Sequence, residues 1–494
     1  MAKAKYVLAV DQGTTGTHVS ILDDKLRVVG DAYREFTQHF PKPSWVEHDL
    51  EEIWASVETC IRAALKDAGL TGKDLSAVGI TNQRETTGLW LRDGGKPLAH
   101  AIVWQDRRTS ERCAQLREKG EEPRVREMTG LVLDPYFSGT KLAWMLEHVK
   151  GARKRAEKGD ACFGTLDTWL VYKMTGGQSH VTDVTNASRT LLMDVRKLAW
   201  DDSMRELFGV PAACLPEIRG SVDSHGTTKG MRSLPDGIPI TGMAGDQQAA
   251  LFGQACFSPG EAKCTYGTGA FLLMNTGDVP VKSQSGLLTT VAWKIGDKTT
   301  YALEGSSFIA GAAVQWLRDG LKVIKKSGDV EPLAASVKES GDVVFVPALA
   351  GLGAPHWRPE ARGLFGGIDR STTAAHLARA ALEGVAMQIN DLAETMRRDS
   401  GREIPSFKVD GGASANNLMM QFQADVLGTE VVRPQNLQTT SLGAAFLAGL
   451  GAGVWTSTDA IRKAWKVGKV FKPKMKADAR ERHLTKWRRA VERA

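Results

Sequence analysis

Tyr6 to Val19 reads Y-V-L-A-V-D-Q-G-T-T-G-T-H-V, and Lys263 to Leu272 reads K-C-T-Y-G-T-G-A-F-L. Each is an apolar run, a Gly-Thr turn with further small residues, and a second apolar run. That is the pattern of a β-hairpin whose tip is too small to shield its own backbone. Glycine at the tip permits positive φ and lets N–H groups point outward. The neighbouring threonine hydroxyls add donors. Two such tips facing each other would clamp a polyphosphate, as other backbone nests hold anions. Taken singly, either hairpin could be an ordinary surface turn. The first, however, ends its strand with Asp11, beside Gly13, Thr14 and Thr15. A carboxylate aimed into a phosphate clamp suits Mg²⁺, a hard cation that takes oxygen ligands. The duplication predicts two similar domains with a nucleotide between them.

The rest of the chain fits that frame. Its 494 residues are enough for two domains, each with its own core. No apolar run approaches the roughly 20 residues that span a bilayer, and Asp11 and Gln12 interrupt the first apolar stretch too early for a signal peptide. A cytosolic protein without membrane insertion is expected. The six cysteines, Cys60, Cys113, Cys162, Cys214, Cys256 and Cys264, show no C-x-x-C spacing and read as free thiols. The net charge of +7 invites a nucleic-acid reading, but Arg462 to Ala494 holds 13 Lys or Arg against 3 Asp or Glu. The surplus sits in that tail, which reads as a solvated helix face, and no nucleic-acid partner is expected.

Strands and helices alternate, which predicts an α/β class. Tyr6–Val10, His18–Asp23 and Arg27–Phe36 read as strands. Asp49-Leu50-Glu51-Glu52 reads as a capping-box-like helix start, followed by Ile53, Trp54, Val57, Ile61, Ala64 and Leu65 at helical spacing. Leu75–Ile80 and Ile102–Trp104 read as further strands. In the second half Glu261–Leu273 reads as a hairpin, Phe308–Arg318 and Ala374–Met396 as helices, and Ile404–Asp410 as a strand. Glycine and proline cluster at 253–260, so the domains are expected at 1–254 and 255–494.

No G-x-x-x-x-G-K-[ST] and no convincing G-x-G-x-x-G follows a strand, so the P-loop and the dinucleotide fold are unsupported. A third glycine turn, V-D-G-G-A-S-A-N-N at Val409–Asn417, leads into a helical stretch. It is either a plain βα turn or a backbone-lined anion site at a helix N-terminus. The strand ending at Ile80 runs into T-N-Q-R-E-T-T at Thr81–Thr87. Arg84 and Glu85 side by side supply donors and acceptors for vicinal hydroxyls; alternatively they are a surface ion pair. Tyr136 could add a hydroxyl, and Trp104 and Phe271 could cover the C–H face of a small carbohydrate. In I-T-G-M-A-G-D-Q-Q-A-A, Ile240–Ala250, a strand ends in glycine and Asp246 and Gln247 start a helix. Asp246 is either an N-cap or a base that takes a hydroxyl proton as that oxygen attacks phosphorus.

Together D-Q-G-T-T, G-I-T-N-Q-R-E-T-T, L-D-P-Y-F-S-G-T-K, T-N-A-S-R-T, A-G-D-Q-Q-A-A-L-F-G-Q, Y-G-T-G and V-D-G-G-A-S-A-N-N resemble the glycerol kinases of the FGGY carbohydrate-kinase family, within the actin-like ATPase superfamily. The resemblance runs over essentially the whole chain. It implies two actin-like (ribonuclease-H-like) α/β domains, each a mixed sheet flanked by helices, with the active-site cleft between them. It implies ATP-dependent phosphorylation of glycerol to sn-glycerol 3-phosphate with Mg²⁺. In that reading Arg84, Glu85, Tyr136, Asp246 and Gln247 hold glycerol, Asp246 is the general base, and Asp11 holds the metal. Thr14, Thr15 and Gly16 match the first phosphate hairpin and Thr268 the second. Gly311, Gln315, Gly412 and Asn416 match the adenosine side. A homodimer or homotetramer is implied.

Some positions depart from the family's pattern. His18 stands where an arginine is usual, and His356 and Arg358 stand where Tyr and Asp are common. Gly226–Pro239 lacks the glycine-rich loop that binds fructose 1,6-bisphosphate in some members, so weak or absent inhibition is expected. Two other readings remain: a kinase for another small polyol or ketose, such as erythritol or xylulose, and a non-kinase ATPase with the same hairpins. Arg84, Glu85 and Gln247, walled by Trp104, Tyr136 and Phe271, favour the small triol.

Overall fold

A computed structural model describes residues 5–358 and 360–494. The first half opens with β1 (Tyr6–Gln12), β2 (Gly16–Leu22) and β3 (Val28–Glu35), an antiparallel meander. Then come α1 (Leu50–Ala68), β4 (Leu75–Asn82), α2 (Ser138–His148), α3 (Leu166–Met174), β5 (Val222–Thr227), β6 (Pro239–Gly245) and α4 (Asp246–Gly253). The second half contributes β7 (Ala262–Tyr266), β8 (Ala270–Gly277), β9 (Leu288–Ile295), β10 (Lys298–Ser307), α5 (Gly311–Asp319) and α6 (Ala374–Ser400). It closes with β11 (Phe407–Asp410), α7 (Asn417–Leu427), β12 (Val431–Pro434), α8 (Thr439–Gly451), β13 (Val467–Phe471) and α9 (Ala477–Arg493).

The same unit is used twice. β1-β2-β3-α1-β4-α3-β6-α4 is repeated by β7-β8-β10-α6-β11-α7-β12-α8. In each copy the first strand pairs antiparallel with its hairpin partner and parallel with the strand after the long helix. The two sheets share an edge, in the order β13-β12-β11-β7-β8-β10-β9-β5-β6-β4-β1-β2-β3. The joint is slight: β5 meets β9 through the single pair Val222 and Ile295.

β1 is apolar almost throughout because helices cover both of its faces. Leu8 and Val10 pack with the residues of α1 and α3. Val7 and Ala9 face the other way, into a core with Ala249, Phe252, Leu442, Ala445 and Phe446 from α4 and α8. Thus α8, late in the second half, leans on the first half's sheet. The approach is backbone to backbone. A Cβ on Gly253 would lie 1.9 Å from the Thr439 carbonyl, and one on Gly443 would lie 1.8 Å from that of Ala249.

Several local expectations shift. Asp49 caps α1 by accepting from Glu51 N at 2.8 Å, but Glu52 does not complete a capping box; its carboxylate accepts from the Thr37 amide and hydroxyl instead. Only Ala101–Ile102 pairs as a strand, so Trp104 lies just beyond it. The helix expected from Phe308 starts at Gly311, and the strand expected from Ile404 starts at Phe407. The basic tail ends in α9, whose Leu484, Trp487, Ala490 and Val491 are buried. All six cysteines are free and buried. Among the described residues no helix is long and apolar enough to cross a membrane.

Candidate active site

Parallel strands expose their carboxyl ends along one line, where the chain must leave the sheet and polar loops gather. Here Asp11 stands opposite Thr81, and Gly245 opposite Asn82, so the ends of β1, β4 and β6 lie side by side. Arg84 and Glu85 follow β4 directly. Both are buried, at 2% and 1% exposure, which excludes a surface ion pair. Glu85 holds a φ of 59°, left-handed for a bulky residue. Its carbonyl accepts from Ser138 Oγ at 2.9 Å and Thr87 Oγ1 at 3.0 Å, which pins the turn.

Burying two charges without partners would be costly. Arg84 Nη1 and Nη2 donate to the two Glu304 carboxylate oxygens at 2.5 and 3.0 Å. Nη1 also reaches Gln248 Oε1 and Nη2 the Tyr136 hydroxyl, both at 3.2 Å. Arg84 Nε lies 3.2 Å from Asp246 Oδ1. Arg189 donates from Nε to Glu85 at 2.6 Å and from Nη2 to Glu304 at 2.8 Å. Burial alone would raise the Glu304 carboxyl, but Arg189 and Arg84 outweigh it and hold it at about 2. Arg189, Glu304 and Gln248 were not singled out from sequence. Glu304 carried a signal, a lone charge in the apolar run Y-A-L-E-G; Arg189 lay inside T-N-A-S-R-T.

Tyr136 is set by the loop before α2. The Lys141 ammonium, buried in the first turn of α2, donates to the carbonyls of Pro135, Tyr136 and Phe137. Trp104 stands edge-on to Tyr136 at 5.7 Å and to Phe271 at 6.4 Å between ring centres. Its indole N–H donates to Thr14 Oγ1 at 2.9 Å, tying the aromatic wall to the first hairpin.

Asp246 is the first residue of α4 and Gly245 its N-cap, so Asp246 is not the cap. Its Oδ1 accepts from the Gln247 amide at 2.7 Å. Its side chain keeps 28% of its surface exposed, against 2% or less for Arg84, Glu85, Glu304 and Lys263. Loss of water around it still raises its carboxyl, more than Arg84 and Lys263 lower it. Asp11 is pushed up to about 7, by burial first and then by Asp246. Lys263, at the start of the second hairpin, donates to Gln247 Oε1 at 2.5 Å and to Thr265 Oγ1 at 2.9 Å.

The second hairpin, Gly311 and the third glycine turn come together. The amides of Gly311, Ala310 and Ala312 donate to the Gly267 and Thr268 carbonyls at 2.9, 2.9 and 3.0 Å. A Cβ on Gly311 would sit 2.6 Å from the Gly267 oxygen, so only glycine lets α5 close on that tip. Gly411, at φ 83°, presses on the end of β7, where a Cβ would lie 2.5 Å from the Tyr266 carbonyl. A Cβ on Gly412 would meet open space. Gln315 is exposed one turn into α5. Asn416 caps α7, its side-chain oxygen accepting from Met419 N at 2.9 Å.

Other expected residues are placed differently. A Cβ on Gly16 would lie 2.6 Å from the Tyr33 hydroxyl, so its smallness serves the contact with β3. Thr15 is exposed. The His18 ring is spoken for: Nε2 lies 2.5 Å from Asp31 Oδ1 and Nδ1 3.0 Å from Ser441 Oγ. Ser441, on α8, also donates to Asp11 at 3.3 Å. His356 meets Asp391 at 3.0 Å, and Arg358 donates to the Val491 carbonyl at 2.8 Å. Among the described residues no group of three or more His, Cys, Asp or Glu could hold a metal by itself.

Comparison with known proteins places this chain in a family. The N-terminal domain model of the FGGY family of carbohydrate kinases matches residues 6–253, and the C-terminal domain model matches 262–452. A glycerol kinase of Myxococcus xanthus is 78% identical, and one of Bdellovibrio bacteriovorus 54%, each over the full length of both chains. The Plasmodium falciparum glycerol kinase crystallised with ADP superposes with a TM-score of 0.94 at 38% identity, covering 99% of this chain and 98% of that one. A xylulose kinase of Lactobacillus acidophilus superposes at 0.89 with 21% identity, a likeness of fold alone.

Proposed function

Because the chain belongs to the FGGY family of carbohydrate kinases, we propose that it transfers the γ-phosphoryl group of ATP to glycerol, giving sn-glycerol 3-phosphate. The observation that carries the reading is the pairing of an accessible carboxylate, Asp246, with the buried Arg84 beside it at the strand ends. Arg84, Glu85, Tyr136 and Gln247 hold the hydroxyls of the triol, and Trp104 and Phe271 cover its carbon face.

Asp246 takes the proton of the attacking hydroxyl as that oxygen bonds to phosphorus and ADP leaves. A carboxyl raised by loss of water is a stronger base than an ordinary aspartate. Thr14 and Thr15 at the first hairpin and Thr268 at the second face the phosphates, with Gly311, Gln315, Gly412 and Asn416 toward the adenosine. Gly16 belongs to the same hairpin in this reading, and the His18 ring beside it is engaged by Asp31 and Ser441.

Asp11 fits a divalent cation shared with phosphate. It is an oxygen donor, and burial and the charge of Asp246 raise it, a cost that a cation would relieve. With so few protein ligands, Mg²⁺ would keep several waters, as that ion prefers. Bound there, it would neutralise charge on the phosphate oxygens.

The test is ADP release with Mg·ATP and glycerol, erythritol, xylulose or no acceptor, on the wild type and Asp246→Asn. Turnover with glycerol, falling on the order of 10²-fold or more in the variant, is the expected result. Preference for erythritol or xylulose would reassign the pocket. Turnover indifferent to every acceptor would reject the kinase reading.

A further inference from the structure

The four charges buried behind the acceptor pocket come unequally from the two halves. Arg84, Glu85 and Arg189 belong to the first, and Glu304 alone to the second, on β10. All four are at most 2% exposed. Glu304 is flanked across the sheet by Leu273 and Leu288. A carboxylate in an apolar strand is a poor choice for stability, since a well-packed apolar residue does as well or better. What Glu304 does there is geometric. It engages both terminal nitrogens of Arg84 and one of Arg189. That fork fixes the plane of the Arg84 guanidinium and leaves its Nε facing Asp246 and its Nη2 within reach of Tyr136.

We infer that Glu304 is the positioning residue of the acceptor site: it aligns Arg84 and Arg189 and makes the polyol pocket of one domain depend on the seating of β10 from the other. This rests on the glycerol kinase reading above. Lys263 reaches Gln247 from the second half in the same way, so both edges of the pocket are held from across the interface.

The test uses the full-length protein with Glu304→Gln, Glu304→Asp and Arg189→Lys, reading kcat, the KM for glycerol, the KM for ATP and the melting temperature. Glu304→Gln keeps the volume and removes the charge. The expected signature is a glycerol KM raised roughly 10- to 100-fold, as for other outer-shell partners, with the ATP KM within about twofold. Glu304→Asp should recover part of the loss. Arg189→Lys, which offers one nitrogen in place of the two that bond Glu85 and Glu304, should show the same split and stands in if Glu304→Gln does not fold. A glycerol KM unchanged in the folded variants, whatever their melting temperature, would overturn the inference. So would a parallel rise in both KM values, which is the mark of general damage. A wild type without glycerol-dependent turnover would remove the kinase reading and this inference with it. An active wild type with indifferent variants would remove this inference alone.

Discussion

Lys141 shows how much a single side chain decides. Its ammonium has three N–H donors and meets three consecutive carbonyls, those of residues 135–137. Burial pulls its proton affinity down to about 7, against the pull of Glu85, Asp106 and Asp134. Lys141→Met keeps the packing volume and removes three hydrogen bonds to these carbonyls. Tyr136 then loses its anchor, and the glycerol KM is expected to rise with little change for ATP; unchanged glycerol kinetics would refute the role. Gly245 is a second point of leverage. A Cβ there would lie 2.7 Å from Arg84 Cγ and 2.8 Å from Cδ, carbons in the middle of a buried chain. Gly245→Ala should displace the guanidinium and raise the glycerol KM, measured by the same coupled assay.

At the scale of elements, α4 and α8 are equivalent helices of the two repeats, and they meet through glycine. α4 begins with Asp246, and α8 carries Ser441, which bonds both Asp11 and His18. Adding one methyl at Gly443, where the Ala249 carbonyl would be 1.8 Å away, must push the helices apart. Overpacking of this kind costs about 1–3 kcal/mol. Gly443→Ala is therefore expected to lower the denaturant midpoint and to reduce activity beyond the loss of stability, because the shift carries Asp246 away from Asp11. A variant as active per folded molecule as the wild type would show that the site tolerates the displacement.

The whole molecule's response to pH is a balance of buried groups of opposite sign. Burial, reinforced by His39 and His100, pulls His48 down to about 3, and burial pulls His180 and His225 to about 4. Their stabilising share is full above the unfolded value near 6.5 and is lost as pH falls through 4. Asp167, raised by burial and by Asp183, and Asp11 stand at about 7 and act the other way: their share is present in acid and lost as pH rises toward 7. The two kinds of group oppose each other between pH 5 and 7.5, and single substitutions expose each. His180→Gln should gain about 2 kcal/mol relative to the wild type on going from pH 7.5 to 5. Asp167→Asn should lose about the same over that interval. Urea titrations at the two pH values measure both, and a pH-independent difference in either variant would contradict the assignment.

The linear order of residues determined the duplicated hairpin, the α/β class and the place of Arg84, Glu85 and Asp246 just past strand ends, because these are written in local patterns: apolar periodicity, glycine at tight turns, polar residues where a strand runs out. The same patterns misplaced element ends by a few residues, at Gly311 and Phe407, where caps and packing set the boundary. Only the tertiary structure decided that Glu304 and Arg189 complete the charge cluster, that Lys263 reaches Gln247, and that His18 turns to Asp31 and Ser441. The contacts of Glu304 with Arg84 and Arg189, and of His18 with Ser441, join residues distant in the chain, and their energy exists only once the two halves pack together.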